Sequence, residues 1–375
     1  MGDRTTTDVA IIGGGIVGAS AAFALRRLGI AVTLLERDVC GAKASGVNFG
    51  GVRRQGRPLS QLPLAQRAHG IWSRLQALIG IDGEYVQSGH LKLARSDADL
   101  ASLEAYRAQT LDFGLELQLL SRADIHARYP WLGDGVAGGS LCPADGQANP
   151  RLVSPAFASA AHRLGARIVE HAPVDCVEHD GDRFVLRAPG LELKAPVLIN
   201  CAGAWANAVA AQFGEEVPMV SANPGMLVTE PLAPLLNVNI GVEGGGVYAR
   251  QVRRGNFVIG GARAQALDGE RSRVGPAAVA AIVQQAVEIV PRLRQAWIIR
   301  TWSGTEGFLP DRLPVLGPSA TTAGLFHAFG FAGAGFQIGP AVGEVLADLV
   351  RDGRSTTPID AFSISRFSAA HPKET

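Results

Sequence analysis

Three glycines at fixed spacing, Gly13, Gly15 and Gly18, and the carboxylate of Glu36 carry the plainest chemistry in the chain. They form G-x-G-x-x-G directly after a short apolar run and at the opening of a helical stretch. In that context Gly13 makes the tight turn. Gly15 lets the backbone approach a pyrophosphate, and Gly18 lets the helix pack closely on the strand. The helix N-terminus then faces the phosphate charge, with Ile16 and Val17 counted among the cofactor-binding residues. Glu36 stands 18 residues after Gly18, at the end of a second apolar run. A carboxylate there accepts hydrogen bonds from an adenosine ribose, which argues against a 2′-phosphate and so against NADP. The unit alone does not separate FAD from NAD. A second glycine-rich stretch, residues 330–339, suits one extended FAD.

These residues need a β-α-β unit to hold them, and the sequence supplies one. Val9–Ile12 is apolar throughout, as a strand buried on both faces is. Residues 19–28 read as a helix stopped by Gly29, and residues 31–35 as a second strand. Further along, residues 59–79 read as helical and 85–94 as strands around a Ser-Gly turn. Asp97–Thr110, 123–129 and 152–164 read as helices, the last leading into a strand at Arg167–Val169. Residues 183–188 and 191–203 read as a meander returning to the sheet, and 217–229 and 246–260 are strand-rich. A helix over 276–290, strands over 297–302 and Leu325–Phe329, and a helix over 338–350 complete the reading. A β-α-β start with a strand-rich middle predicts two interleaved domains.

Composition bounds the rest. With 375 residues, 47% of them hydrophobic, the chain has material for two domains or one large α/β body, and wholesale disorder is excluded. A net charge of +1 gives no sign of nucleic-acid or membrane-surface binding. The longest uncharged stretch, residues 9–25, is only 17 residues long, carries four glycines and follows Asp3 and Asp8. It reads as strand, turn and helix, not as a membrane span or signal peptide, so a soluble cytoplasmic protein is expected. Cys40, Cys142, Cys176 and Cys201 form no CxxC pair, so neither a metal site nor a disulfide framework is expected. Eight histidines are scattered without metal or nucleophile spacing, and His327 reads as structural. Glycine supplies 46 residues, whereas lysine supplies four: Lys43, Lys92, Lys194 and Lys373.

Five segments recur in order: residues 8–37 (DVAIIGGGIVGASAAFALRRLGIAVTLLER), ASGVNFGGVRRQ from Ala44 to Gln55, LINCAGAWA from Leu198 to Ala206, TWSGTEGFLPDRLPVLGPS from Thr301 to Ser319, and HAFGFAGAGFQIGPAVG from His327 to Gly343. On these the chain resembles the D-amino-acid oxidase-like superfamily of FAD-dependent oxidoreductases, over nearly its whole length. That superfamily includes glycine oxidase, sarcosine oxidase and its β subunit, D-amino-acid dehydrogenases, opine oxidase and D-hydroxyproline dehydrogenase. The pattern is most similar to the sarcosine oxidase β, opine oxidase and D-hydroxyproline dehydrogenase group.

The resemblance implies an α/β fold: a Rossmann-like FAD-binding domain of the glutathione-reductase type, interleaved with an antiparallel β-rich substrate domain. Residues 1–82, 145–216 and 306–375 are assigned to the first, and residues 83–144 and 217–305 to the second. By resemblance, Ser45, Asn48, Gly50 and Gly51 line the pyrophosphate, ribityl chain and flavin edge. Val174 meets the adenine side, and Ala202 and Gly203 pass under the cofactor. Gly330, Gly333, Gly335, Phe336 and Gln337 meet the flavin pyrimidine end, with a helix N-terminus aimed at the flavin. Arg37, Gly304 and Ala334 complete the expected cofactor set. The sarcosine oxidase type of covalent link uses a late cysteine and none follows Cys201, so non-covalent FAD is expected.

The implied reaction is oxidation of a C–N bond in a small amino or imino acid (a D-amino acid, or a sarcosine-like or D-hydroxyproline-like substrate) by hydride transfer to flavin N5. Glycine oxidase-like members hold the substrate carboxylate with an arginine in W-x-G-L-R-P; counted from Trp302, that position is Glu306. Either another arginine replaces it, with Arg53, Arg54 and Arg250 as candidates and Tyr248 and Trp302 as further substrate-site residues, or the substrate presents a cation to Glu306. Many relatives have histidine where this chain has Ala334. Oxidases of the sarcosine type use a substrate-domain lysine on dioxygen, and no lysine lies between Lys194 and Lys373, so a dehydrogenase is expected over an oxidase. Two alternatives stand beside this: an oxidoreductase of amines lacking a carboxylate, and a flavin subunit active only in a hetero-oligomer with electron-transfer subunits. An acceptor protein or quinone, and membrane association through a partner, are compatible with either.

Overall fold

The computed structural model describes residues 3–370. Val9, Ala10, Ile11 and Ile12 are all buried because both faces of their strand are covered. Val9 and Ile11 pack with the helices Ile16–Arg27 and Gly335–Asp352, while Ala10 and Ile12 pack with Phe184, Leu186 and Leu193 on the other side. Alternation along one four-residue strand thus joins two cores.

That strand lies inside a six-stranded sheet of order Val315–Pro318, Leu325–Phe329, Val197–Asn200, Val9–Ile12, Val32–Leu35, Arg167–Val169. All neighbours are parallel except the first pair. The helices Ile16–Arg27, Pro150–Arg163 and Gly335–Asp352 cover one face. A four-stranded sheet, Asp3–Thr6, Leu191–Ala195, Phe184–Ala188 and Cys176–His179, covers the other. The chain is therefore layered helix, parallel sheet, meander.

A second body is built on an eight-stranded sheet of order Ile298–Ser303, Pro224–Pro231, Asn256–Arg263, Tyr248–Gln251, Asn239–Val242, His90–Ala94, Gly138–Cys142, Gln118–Leu120. It is antiparallel except where Asn239–Val242 runs parallel to His90–Ala94. Its own core includes Leu91, Leu93, Ile240, Ile259 and the helix Pro276–Ile289. Three short ribbons lie apart from these large sheets: Gly51–Val52 with Gly146–Gln147, Val220–Ala222 with Glu306–Phe308, and Gln265–Ala266 with Ser272–Arg273. Among the described residues no helix is long and apolar enough to cross a membrane.

Several elements differ from the sequence reading, each for a local reason. The helix expected over 59–79 is broken into Leu59–Gln61, Leu62–Trp72 and Leu75–Ile79. Of residues 85–94 only His90–Ala94 is a strand, because Gly89 takes φ +82° and residues 86–89 instead wrap the 145–147 segment. The strand Asp3–Thr6 has no apolar alternation to reveal it; it is held by its pairing with Leu191–Ala195. Gly138–Cys142 is a central strand despite its glycines. A Cβ on Gly139 would fall 2.7 Å from the Lys92 carbonyl oxygen, so the sheet uses glycine to close up there.

Candidate active site

Gly13 takes φ +103°, and a Cβ there would sit 2.4 Å from the Cys201 carbonyl oxygen. A Cβ on Gly18 would sit 2.0 Å from the Gly13 oxygen, and one on Gly15 would sit 2.9 Å from Ser45 Oγ. The three glycines therefore let strand, turn and helix close on one another, and the turn opens onto a cavity of about 750 Å³. Ser45 Oγ accepts from the Ile16 N–H at 2.9 Å, tying the helix start to the Ala44–Val47 turn. Asn48 holds the same turn through the Ala44 and Ser45 carbonyls and accepts from Gly50 N–H at 2.7 Å.

Glu36 lies at the cavity wall, its Oε2 accepting from Gly14 N–H at 2.6 Å and its Oε1 from Asp38 N–H at 2.9 Å. Two amides fix the carboxylate, and each oxygen keeps a lone pair for a further donor. Arg37 stacks its guanidinium 3.7 Å over the Trp205 ring and pairs with Glu270 at 2.9 Å. Val174, Ala202 and Gly203 line the cavity with them. Ile16, Val17, Asn48, Gly50 and Gly51 line it as well. So do Gly330, Gly333, Gly335 and Phe336, at the start of the helix Gly335–Asp352.

Four expected cofactor residues stand behind the wall instead. Gly18 is a packing glycine, as above. Gly304 meets Val47, where a Cβ would come within 2.4 Å of its side chain. Ala334 is buried in the turn, its N–H on the Phe331 carbonyl at 2.8 Å. Gln337 points the other way, donating to the Ala65 carbonyl at 3.0 Å while its own carbonyl takes the Trp72 indole N–H at 2.8 Å.

The substrate candidates divide similarly. Arg53, Tyr248 and Glu306 line the cavity; Arg54, Arg250 and Trp302 do not. Arg54 is spent on Asp145, whose Oδ1 accepts from both its N–H and its Nε at 2.9 and 3.2 Å. Arg250 lies behind Gly50, its guanidinium 5.5 Å from the Phe49 ring centroid and 3.4 Å from the Gln147 amide oxygen. Trp302 donates its indole N–H to the Val47 carbonyl at 2.7 Å. Arg250 is thus not on the cavity wall, and its guanidinium lies against Gly50 and Phe49.

Sequence reasoning missed a number of cavity residues, Arg57, His90 and Lys92 among them. His90 and Lys92 are two apart on one strand and so share a face, a signal that alternation in HLKLA did contain. Arg57 is carried by the same turn as Arg53. That turn is fixed by Asp145 Oδ2 on the Gln55 N–H at 3.0 Å and by Gln55 on Ser140 Oγ at 2.7 Å and on the His90 ring at 3.1 Å. Lys92 pairs with Glu243. Arg53 donates to the Gln55 carbonyl, and Arg57 to the Arg53 carbonyl at 3.3 Å. Neither guanidinium has an ion-pair partner among the described residues. Burial, with Arg53 close by, pushes Arg57 down to about 9, and burial lowers Arg53 too. Burial and the surrounding Arg53, Lys92 and Arg57 drive His90 well below its ordinary value, so it is neutral.

Glu306 faces this cluster from the strand Glu306–Phe308. Burial raises its carboxyl to about 7, outweighing the Gly333 amide and the Arg57 charge, which both favour ionisation. Its Oε2 is buried without a hydrogen-bond partner. The Ala332 N–H on the Gly307 carbonyl at 3.4 Å, and a bridge from Phe308 to Phe331, dock the 330–335 turn against that strand. Tyr248 is pushed upward by burial and by Glu306, and stays a neutral phenol. His327 is away from the wall, bonded to Glu215 at 3.0 Å and Asn200 at 3.3 Å. Among the described residues no group of metal-binding side chains occurs. Lys373 lies outside the described residues.

A family model described as FAD dependent oxidoreductase matches residues 8–349. The chain belongs to this family. Its cofactor is FAD, and the glycine cradle, the two-amide carboxylate of Glu36 and the cavity between them fit a dinucleotide of that kind. Human mitochondrial sarcosine dehydrogenase is 29% identical over 98% of this chain, which spans only 42% of that protein. Glycine oxidase of Geobacillus kaustophilus is 28% identical over 96% of the chain and 97% of its own length. An opine oxidase subunit of Rhizobium meliloti is 26% identical over 96% of this chain and 98% of its own length. The solved G. kaustophilus glycine oxidase superposes with a TM-score of 0.90, covering 96% of this chain and 99% of that one. L-Proline dehydrogenase of P. horikoshii shares the fold, with a TM-score of 0.91 at 24% identity.

Proposed function

We propose that this flavoprotein oxidises the C–N bond of a small amino or imino acid whose carboxylate is held by Arg53 and Arg57. The observation that carries the reading is a buried Arg57 and a half-buried Arg53 on the cavity wall, neither guanidinium having an ionic partner among the described residues. Charges kept out of water without a counter-ion are costly, and a planar carboxylate matches their forked donors. Sarcosine, glycine and proline appear in the names of proteins similar to this one, and all three are amines bearing a carboxylate.

FAD, when bound, supplies the acceptor for a hydride. The residues of the chain do the rest. Gly13, Gly15 and the Ile16 helix start would hold the pyrophosphate, Glu36 would hold the ribose, and the Gly330–Phe336 turn would meet the flavin ring. Arg53 and Arg57 fix the carboxylate and so orient the α C–H. Tyr248 and the neutral His90 fill the wall without adding charge. We propose non-covalent attachment, with residues 1–82, 145–216 and 306–375 as the cofactor body and 83–144 and 217–305 as the substrate body.

The acceptor is proposed to be a protein or quinone, with dioxygen a poor substitute. The expectation from lysine scarcity needs one amendment, because Lys92 does line the cavity. Its ammonium is engaged by Glu243, which neutralises the charge an oxidase would turn on dioxygen. Turnover with oxygen is expected to fall well below turnover with an artificial dye; equal rates refute the dehydrogenase reading. The reaction itself is tested by anaerobic bleaching of the flavin with a panel of D-, L- and N-alkyl amino acids and their decarboxylated amines.

A further inference from the structure

We propose that Glu306 accepts the proton from the ammonium group of the bound amino acid, so that the substrate enters oxidation as a neutral amine. The proposal rests on the amino-acid reading above and adds a catalytic residue to it.

The cavity carries opposite charges in its lining. Arg53, Arg57 and the Glu306 carboxyl all line it, Arg57 near enough for its charge to act on Glu306. A zwitterion whose carboxylate meets the arginines extends its nitrogen toward Glu306. The Oε2 of Glu306 is buried and accepts no well-formed hydrogen bond among the described residues, the Gly333 amide acting on the carboxyl only from nearby, so it has a lone pair to offer. The other titratable groups around it are Arg53, Arg57, His90, Lys92, Tyr248 and Arg312. None of them competes as the base. The arginines are cationic, Lys92 is paired with Glu243, and His90 is neutral with its Nδ1 engaged by Gln55. Tyr248 stays protonated, its hydroxyl directed to the Met226 sulfur at 3.7 Å.

The proton transfer balances simply. One N–H bond breaks, one O–H bond forms on Glu306, and the electron pair remains on nitrogen. Burial favours the products, since an ammonium–carboxylate pair becomes two neutral groups in a site that solvates charge poorly. The nearby guanidinium charges further disfavour the ammonium. Loss of a C–H hydride to the flavin needs that free electron pair to form the C=N bond.

The test is anaerobic flavin reduction at saturating amino acid from pH 6 to 10, in wild type, Glu306→Gln and Glu306→Asp. Without the carboxylate, only the fraction of amine neutral in solution can react. An aliphatic ammonium titrates roughly two to three pH units above Glu306, so Glu306→Gln is expected to slow reduction on the order of 10²-fold at pH 7. The rate should recover as pH approaches that of the free amine, and Glu306→Asp should keep the wild-type profile. A second readout needs no turnover: propionate binding followed by the flavin spectrum. Propionate should weaken in wild type as pH rises through about 7, because Glu306 becomes an anion beside it. In Glu306→Gln that dependence should vanish, and if this variant loses its flavin the aspartate variant and the wild-type titration carry the test. A glutamine variant reduced at the wild-type rate with the wild-type profile overturns this proposal alone. A wild-type flavin bleached by no amino acid overturns the functional reading and this proposal together.

Discussion

Glu306→Gln is expected to stabilise the folded flavoprotein at pH 8 far more than at pH 5. The carboxyl of Glu306 is raised from 4.5 to about 7 in the folded protein, chiefly by burial. A raised carboxyl means the folded state holds its proton more tightly than the unfolded chain. Its cost is therefore absent well below pH 4.5, grows between 4.5 and 7, and is complete above 7. A shift of about 2.5 units corresponds to about 3 kcal/mol at pH 8, against less than about 1 kcal/mol at pH 5. Water admitted by the cavity makes these upper figures. Glutamine keeps the shape and never ionises, so its advantage should grow by up to about 2.5 kcal/mol between the two pH values. For a chain of 375 residues that is a differential rise in Tm of roughly 3 °C. The assay is thermal unfolding of both proteins with excess FAD at each pH. A difference in Tm that is the same at pH 5 and pH 8, or larger at pH 5, refutes the reasoning.

The remaining expectations concern cofactor and substrate. Gly13→Ala places a Cβ 2.4 Å from the Cys201 carbonyl oxygen at φ +103°, so the variant should purify without flavin absorbance; a yellow protein contradicts the cradle. Arg57→Met should raise KM for the amino acid on the order of 10²-fold with a smaller effect on kcat, as expected for loss of one partner of a buried charged contact. Unchanged KM would remove Arg57 from the carboxylate site.

What the sequence disclosed and withheld follows from the kind of signal each part uses. The G-x-G-x-x-G turn and Glu36 are local, because a tight turn, a helix start and a strand end are set within some 25 residues. The buried strand Val9–Ile12 was legible because both its faces are covered and no polar residue interrupts it. The Asp3–Thr6 strand was not, because long-range pairing with Leu191–Ala195 holds it and its side chains carry no pattern. The same divide runs through the cavity. Arg53 and Glu306 were found from motif position. Arg57, His90 and Lys92 required the fold, since Asp145 and Gln55 hold the Arg53–Arg57 turn against the strand His90–Ala94 from 35 or more residues away. Arg250 and Gln337 lie near the cavity without lining it for a related reason: motif position puts a residue near a site but does not say which way its side chain turns. Lysine scarcity in the sequence concealed that two of the four lysines, Lys43 and Lys92, stand on the cavity wall.

The central claim is that Arg53 and Arg57 select a carboxylate-bearing amine. The measurement that tests it most directly is anaerobic flavin bleaching by amino acids compared with the amines left on removing their carboxylates. The account predicts that at least one amino or imino acid bleaches the flavin and that its decarboxylated amine does not. Bleaching by a simple amine or diamine, with every amino acid in the panel inert, would contradict it.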